Sequence, residues 1–426
     1  MGSLNITKRG KVYQYQFEAG KINGKRKRVS KSGFKTKKEA EEAGAKAYNE
    51  FKNCGLSFKE NNISYSDYLD YWLENYCKTN LRYNTIQSYT TIVKKYLKPN
   101  LGIYRLSSLT SVKLNSFIVE LCNKNKLSRI YFSNILKVLK GSFREACDVY
   151  GFIKYNPTLT LRLPKIEDYK EDIKHVYTQE EIDLILNRLK NNDTFTCAFL
   201  TSCYTGMRTG EVFALTWDDI DFKNRVISIK HSVYDKPKDD KGRWYLGKTK
   251  TVTGARQISI SQTLLTALKN YKKKQGYLKS IYQNNYKSYH LEEVKNEYGK
   301  VIEQRIVKDN NGILNINAIN LVFTKEDGTF VGTDLLKYPF QIIHNELGMT
   351  KCRFYDLRGS YATKILRNGV EIKDVADILG HSNIETTENY YISSSNESRK
   401  TANDIFEKIT YSDTIREISN YKINTQ

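Results

Sequence analysis

Four short runs in the second half of the chain carry side chains able to act on an oxyanion. Thr205-Gly206-Met207-Arg208-Thr209-Gly210-Glu211 sets an arginine where a glycine turn meets a helix, and Tyr355-Asp356-Leu357-Arg358 sets a second one early in another helix. Leu379-Gly380-His381 reads as a helix end, and Tyr390 and Tyr391 follow the histidine by nine and ten residues. Gly247-Lys248-Thr249-Lys250 adds two amines ahead of a strand that begins at Arg256. A guanidinium stays protonated near neutral pH and meets a phosphate through two parallel hydrogen bonds. A tyrosine hydroxyl, with a pKa of about 10, attacks phosphorus only when a base or a strong cationic field assists it. Each run taken alone is weak, since an Arg208–Glu211 ion pair, a histidine cap and a packed tyrosine would explain them separately.

Hydrophobic spacing outlines the elements that hold these groups. A chain of 426 residues exceeds the roughly 250–300 at which a single core stops growing, so at least two and as many as three domains are expected. Val12-Tyr13-Gln14-Tyr15-Gln16-Phe17 alternates as a half-buried strand does, Asn23-Gly24 marks a hairpin turn, and Lys25-Arg26-Lys27-Arg28-Val29 returns. Thr36 with Glu39 then opens a helix through Ala40, Ala43, Ala47 and Phe51, giving a small sheet on one helix. Residues 61–165 read as mostly helical. Tyr68, Leu69, Trp72, Leu73 and Tyr76 form a broad apolar face, and further helices run over 85–97, 111–122 and 128–150.

Asn156-Pro157 and Leu163-Pro164 break the helical pattern, and the stretch up to His175 reads as an exposed linker. A new domain begins near Val176 with a capping box at Thr178 and Glu181. Strands at 226–229, 244–246 and 256–260 suggest one small antiparallel sheet, while 270–318 is polar, poorly patterned and read largely as an insertion. Regular structure restarts at Leu321-Val322-Phe323-Thr324 and is helical to about Lys408. The fold class is multidomain α+β: a small N-terminal sheet with a helix, a mostly helical middle domain, and a mixed, mainly helical last domain.

The chain carries 69 Lys and Arg against 47 Asp and Glu, a net charge of +22, which favours a polyanionic partner. Residues 1–52 hold 14 basic and 5 acidic side chains, and Lys8, Arg9, Lys25, Arg26, Lys27, Arg28 and Lys31 are the candidate DNA contacts there. Abundant Lys, Asn, Ile and Tyr also mark an AT-rich coding sequence, so charge alone does not decide the partner. Seven scattered cysteines without a CxxC and five scattered histidines suit neither a disulfide scaffold nor a zinc site; no cofactor or metal is expected. No apolar run reaches the roughly 18–20 residues of a membrane span and no signal-peptide core is present, which points to a cytoplasmic, nucleoid-associated protein.

In their order and spacing the runs resemble the tyrosine recombinase, or phage-type integrase, family. The matching features are Gly-Met-Arg-Thr-Gly-Glu at Arg208, Trp217-Asp218-Asp219-Ile220-Asp221, Asp-Leu-Arg at Arg358, and Leu-Gly-His followed by Thr386-Thr387 and a tyrosine. The resemblance covers about 176–408, and more weakly the domains before it, in the manner of integrases of conjugative transposons and temperate phages. It implies a basic arm-type DNA-binding domain over 1–56, a core-binding domain over 61–165, a catalytic domain over 176–408 and a tail over 409–426.

By the same resemblance Arg208 and Arg358 clamp a scissile phosphate, and a tyrosine attacks it to leave a 3′-phosphotyrosyl link and a free 5′-hydroxyl, without metal or ATP. Adjacent residues on a helix diverge by about 100°, so Tyr390 and Tyr391 cannot both serve; the spacing in transposon integrases favours Tyr391. Lys248, with Lys250 as runner-up, protonates the leaving oxygen, and His381 hydrogen-bonds the phosphate or shares the proton relay. Where most of the family has a histidine three residues before the second arginine this chain has Tyr355, and Gly359-Ser360 replaces His-Thr. A phenol donates a hydrogen bond but is no base near pH 7, so proton acceptance falls to His381 or water. The expected partners are double-stranded DNA at core-type and arm-type sites, three further copies of the chain in a synaptic tetramer, and an excisionase or host DNA-bending protein. The alternatives are a catalytically weak integrase-like DNA-binding protein and an enzyme of type IB topoisomerase kind. DNA affinity is expected to fall with salt on a log–log slope of about 0.9 per phosphate neutralised, which a titration of binding against NaCl measures; a flat slope would remove the electrostatic reading.

Overall fold

The computed structural model describes residues 4–10, 12–22, 25–52, 63–165, 175–248, 254–295, 299, 301–309 and 317–392. The chain divides into two compact units, Met1–Asp172 and Ile173–Gln426. The first begins with an antiparallel sheet of strands β1 (Asn5–Arg9), β2 (Val12–Ile22) and β3 (Lys25–Phe34), in that order, followed by helix α1 (Lys37–Lys52). Tyr15 and Phe17 are buried on the face that α1 covers, with Phe17 edge-on to Tyr48. Gly44 permits the close approach, since a Cβ there would lie 2.9 Å from that of Tyr15. Strand β1 has no sequence signal because Ile6 is its only apolar residue. Ile22 pairs with Lys25 around Asn23-Gly24, two residues that lie outside the described ones. At the start of α1 the Thr36 hydroxyl accepts the Glu39 N–H, while the Glu39 carboxylate accepts from Lys35 rather than Thr36. Lys8, Arg9, Arg28 and Lys31 are exposed; the side chains of Lys25, Arg26 and Lys27 are not among those described.

Residues 65–148 of this unit are mostly helical. α2 (Tyr65–Trp72) runs through a π-helical turn, Leu73–Cys77, into α3 (Lys78–Asn80), and α4 (Tyr83–Ile92) runs through a second, Val93–Leu97, into α5 (Lys98–Leu101). α6 (Ser111–Lys124) and α7 (Arg129–Asp148) complete the bundle. The apolar face expected around Tyr68 and Trp72 is core: Trp72 stacks on Tyr76 and Tyr89, and Tyr68 donates to the Ser142 carbonyl at 2.6 Å. Lys98 is tied to Asp70 and Arg144 to Glu145, and Lys94, Lys95, Arg129 and Lys137 are exposed.

The second unit opens with α8 (Gln179–Arg188), whose capping box at Thr178 and Glu181 forms as the sequence indicates, then α9 (Asp193–Thr205) and α10 (Thr209–Val212). Next come β4 (Ile220–Asp221), β5 (Val226–Ile229), β6 (His231–Asp239), β7 (Gly242–Lys248), β8 (Arg256–Ser259), α11 (Gln262–Tyr282), β9 (Tyr289–Lys295), β10 (Val301–Lys308) and β11 (Ala318–Ile319). Helices α12 (Lys337–Asn345), α13 (Asp356–Arg367), α14 (Ile372–Leu379) and α15 (Glu385–Ile392) follow. The expected single small sheet is in fact two. β5 and β8 join β4 in one of order β4-β5-β8, whereas β7 belongs to another of order β11-β9-β10-β7-β6. Alternation marks a strand but not its neighbour, so the split had no local signal.

The stretch 270–318 is likewise more regular than its pattern suggested. α11 continues to Tyr282 with a solvated second half beyond Tyr271, and the β9–β10 hairpin extends the larger sheet while burying little besides Ile306. Residues 393–426, including the helix expected to about Lys408 and the tail over 409–426, lie outside the described ones, as do residues 166–174 of the expected linker. Among the described residues no helix is long and apolar enough to cross a membrane. Trp72→Ala should lower the stability of the first unit by about 3–5 kcal/mol, read as a shift of its urea unfolding midpoint.

Candidate functional site

Two helix ends build the site. α9 ends at Gly206, whose φ of 62° suits glycine and whose missing Cβ would otherwise stand 2.6 Å from the Tyr361 ring. The chain then turns through buried Met207 to Arg208, just ahead of α10. Glu211, with its side chain 2% exposed, accepts the Arg208 backbone N–H at 3.0 Å through Oε2 and Arg208 Nη1 at 2.8 Å through Oε1. The ion pair that offers a purely structural explanation of Arg208 therefore forms, yet the guanidinium side chain keeps 26% exposure.

α14 ends at Gly380, which has φ 68° and bonds back from its N–H to the Asp377 carbonyl, while the His381 N–H reaches Ala376 at 2.9 Å. That closure leaves the carbonyls of Ile378, Leu379 and Gly380 without helical donors. Each is taken by a different arginine: Ile378 by Arg256 Nε at 2.6 Å, Leu379 by Arg358 Nη2 at 2.7 Å, and Gly380 by Arg208 Nη2 at 3.0 Å. Arg358 also donates through Nη1 to the Gly206 carbonyl at 2.8 Å, which ties the two helix ends together. It is completely buried, and its Nε has no partner among the described residues.

The first turn of α13 sets Arg358 in place. Asp356 accepts the Arg353 backbone N–H at 2.9 Å, and the Ser360 hydroxyl donates to the Asp356 carbonyl while accepting the Tyr177 N–H at 2.8 Å. Ser360 thus ties the domain's first segment to α13. Tyr355 immediately precedes the helix, with 47% of the residue exposed. On the far side, His381 Nδ1 meets the hydroxyl of fully buried Thr387 at 2.8 Å, which fixes α15 against the ring. Tyr390 and Tyr391 lie on α15 three and four residues beyond Thr387; their side chains are outside the described residues. Lys248 ends β7, its side chain also undescribed, and Lys250 lies outside the described residues altogether.

Arg208, Arg358 and His381 thus gather at one place, and Arg256 joins them. Arg256 had appeared in the sequence only as the first residue of a strand. Its partners lie 45 residues earlier at Glu211 and 122 later at Ile378, so no local spacing announces it. Among the described residues no group of His, Cys, Asp or Glu side chains gathers as a metal site.

The electrostatics follow from burial and crowding. Burial, and then the like charge of Arg208, lower the Arg358 pKa to about 10, which leaves it protonated at neutral pH. Burial pushes the Glu211 carboxyl up, but Arg256 and then Arg208 outweigh it and hold the group below its ordinary value. His381 is lowered from 6.5 to about 4 by burial, then by Arg358, Arg208 and Arg256, so the imidazole is neutral at pH 7. The result is a cationic pocket with one neutral imidazole, suited to an anion that spreads charge over several oxygens.

Comparison with known proteins supplies the context. Residues 175–398 match the profile of the phage integrase family, residues 5–51 that of an arm DNA-binding domain, and residues 64–122 that of the N-terminal SAM-like domain of phage integrases. The chain is 27% identical over 399 residues to a XerC-like tyrosine recombinase of Caldanaerobacter subterraneus, covering 91% of this chain and 94% of that protein. It is 24% identical to the transposase from transposon Tn916 of Enterococcus faecalis, over 74% of this chain and 72% of that one. Its fold is similar to that of a Tn1549 transposon integrase solved in complex with transposon right end DNA, with a TM-score of 0.60 at 18% identity, covering 80% of this chain and 100% of that one.

With a folded-state pKa of about 4 against 6.5 unfolded, the unfolded chain takes up a proton at His381 that the folded one refuses. Stability from this group is fully present above about pH 6.5 and is lost as pH falls toward 4. His381→Gln should flatten the pH dependence of the thermal midpoint across that window; an unchanged slope would contradict it.

Proposed function

We propose that this chain, which belongs to the phage integrase family, cuts and rejoins DNA at one phosphate held by Arg208 and Arg358, to integrate and excise a mobile element. It is a tyrosine recombinase, a DNA strand transferase. The observation that carries the residue roles is the run of three carbonyls, Ile378 to Gly380, which draws Arg208 and Arg358 to one helix end beside His381. Two guanidiniums there oppose the negative charge that builds on the non-bridging oxygens as phosphorus becomes five-coordinate.

Tyr391 is the nucleophile in this reading. Its oxygen bonds to phosphorus, the 5′-oxygen of the next nucleotide leaves, and Lys248 gives that oxygen its proton. The 3′-phosphotyrosyl link conserves the bond, so a 5′-hydroxyl from another strand reverses the step without ATP. His381, neutral and held through Nδ1 by Thr387, hydrogen-bonds the phosphate or accepts the phenol proton. A bound phosphodiester adds a negative charge beside the ring and favours that acceptance. Tyr355 donates a hydrogen bond to a phosphate oxygen.

Exchange between two duplexes cuts four strands, and each chain brings one nucleophile, so four copies act together. The helical domain and the catalytic domain hold the core site. The N-terminal sheet, with exposed Lys8, Arg9, Arg28 and Lys31 and its match to an arm DNA-binding domain, takes a separate arm site. Tethering raises its effective concentration, so a weak module suffices to direct assembly. An excisionase or a DNA-bending protein sets direction, and the work takes place on DNA in the cytoplasm.

A nicked duplex carrying the attachment junction should trap a covalent adduct that survives denaturant. Tyr391→Phe should abolish it. Adduct from Tyr391→Phe but not from Tyr390→Phe would move the nucleophile to Tyr390, and a complex that denaturant dissolves for every variant would leave only a DNA-binding protein.

A further inference from the structure

We propose that Arg256 is a positioning residue of strand transfer, neutralising Glu211 so that Arg208 and Arg358 present their full charge to the phosphate. The proposal rests on the reading of the site just given. Arg256 opens β8 with its side chain 7% exposed. Nε donates to the Ile378 carbonyl at 2.6 Å, Nη1 to the Gly254 carbonyl at 2.9 Å and to Glu211 Oε1 at 3.3 Å, and Nη2 to Glu211 Oε2 at 2.9 Å. Four of the five N–H donors of Arg256 are thus spent inside the protein, against two of those of Arg358, so Arg256 acts on Glu211 more than on a substrate.

Its value lies in what it does to Glu211. That carboxylate is buried and holds Arg208 by two hydrogen bonds, one to the backbone and one to the side chain. Alone with Arg208 it would form a neutral pair and cancel the attraction that Arg208 exerts on an anion. With Arg256 on its other side, the three groups carry one net positive charge, and Arg358 makes two. Glu211 thus aims Arg208 at no electrostatic cost to the site. Removing Arg256 leaves a buried carboxylate with a single cation, and that cation is the one needed for phosphate. Arg256 also holds the Ile378 carbonyl, so the test has to separate charge from anchoring.

Single-turnover cleavage of the nicked duplex by the full chain does so, with a thermal melt for each variant. Arg256→Gln should slow cleavage about a hundredfold, the scale of losing one transition-state donor. Arg256→Lys, which keeps the charge but not the fork, should stay within about tenfold of wild type. The double variant Arg256→Gln/Glu211→Gln removes the uncompensated carboxylate and should recover at least about tenfold over Arg256→Gln. A double variant as slow as Arg256→Gln or slower, or Arg256→Lys falling as far as Arg256→Gln, would mean anchoring alone and overturn the proposal. Should Arg256→Gln fail to fold, Arg256→Lys decides: a loss within about tenfold supports the proposal and a larger one overturns it. Absence of adduct from wild type overturns the reading of the site and the proposal with it. Adduct from wild type with an unchanged rate in Arg256→Gln overturns the proposal alone.

Discussion

Three consecutive carbonyl groups at the end of α14 organise the catalytic unit. A helix leaves its last carbonyls without donors, and the left-handed turn at Gly380 satisfies those of Ala376 and Asp377 but not the next three. Those three point their partial negative charge at the arginines from α13, β8 and the α9–α10 turn, and the helix dipole adds to it. Segments far apart in sequence are thereby fixed by one short run of backbone. His381 is the next residue, so the imidazole is placed by the same turn, and through Thr387 it places α15 in its turn.

Crowding three guanidiniums is unfavourable in the absence of an anion, and the structure shows where the strain falls. Arg358, buried beside Arg208, holds its proton less firmly than a free arginine, and His381 is kept neutral well below its usual pKa. Glu211 relieves part of the repulsion from within. What remains is a net positive charge that the fold holds in place, which suits an anion. Backbone carbonyls suit this purpose better than further carboxylates, because they orient the guanidiniums without cancelling their charge.

Modular construction divides the labour. In the N-terminal module α1 closes the apolar face of the small sheet, and Lys8, Arg9, Arg28 and Lys31 remain exposed on its strands. The middle helices share a buried apolar core of leucines, isoleucines and valines into which Tyr65, Tyr68, Tyr96 and Trp72 are packed. In the catalytic unit the larger sheet, to which the β9–β10 hairpin belongs, contributes Val233, Trp244, Leu246 and Ile306 to the same core as α9 and α11. A polar-looking stretch of sequence therefore belongs to the regular fold.

What the sequence determined by itself was whatever depends on neighbours a few residues away. The capping box at Thr178, the helices of the middle domain, the glycine turns at Gly206 and Gly380, and the types and order of Arg208, Arg358 and His381 are all of this kind. Local sterics and hydrogen bonding suffice to specify them. Tertiary structure alone decided what depends on distant partners. β5 and β7 look alike as strands yet join different sheets, because pairing is chosen by the whole core. Arg256 is one basic residue among many until folding sets it between Glu211 and Ile378, because the charge that surrounds a side chain is a property of space and not of the chain.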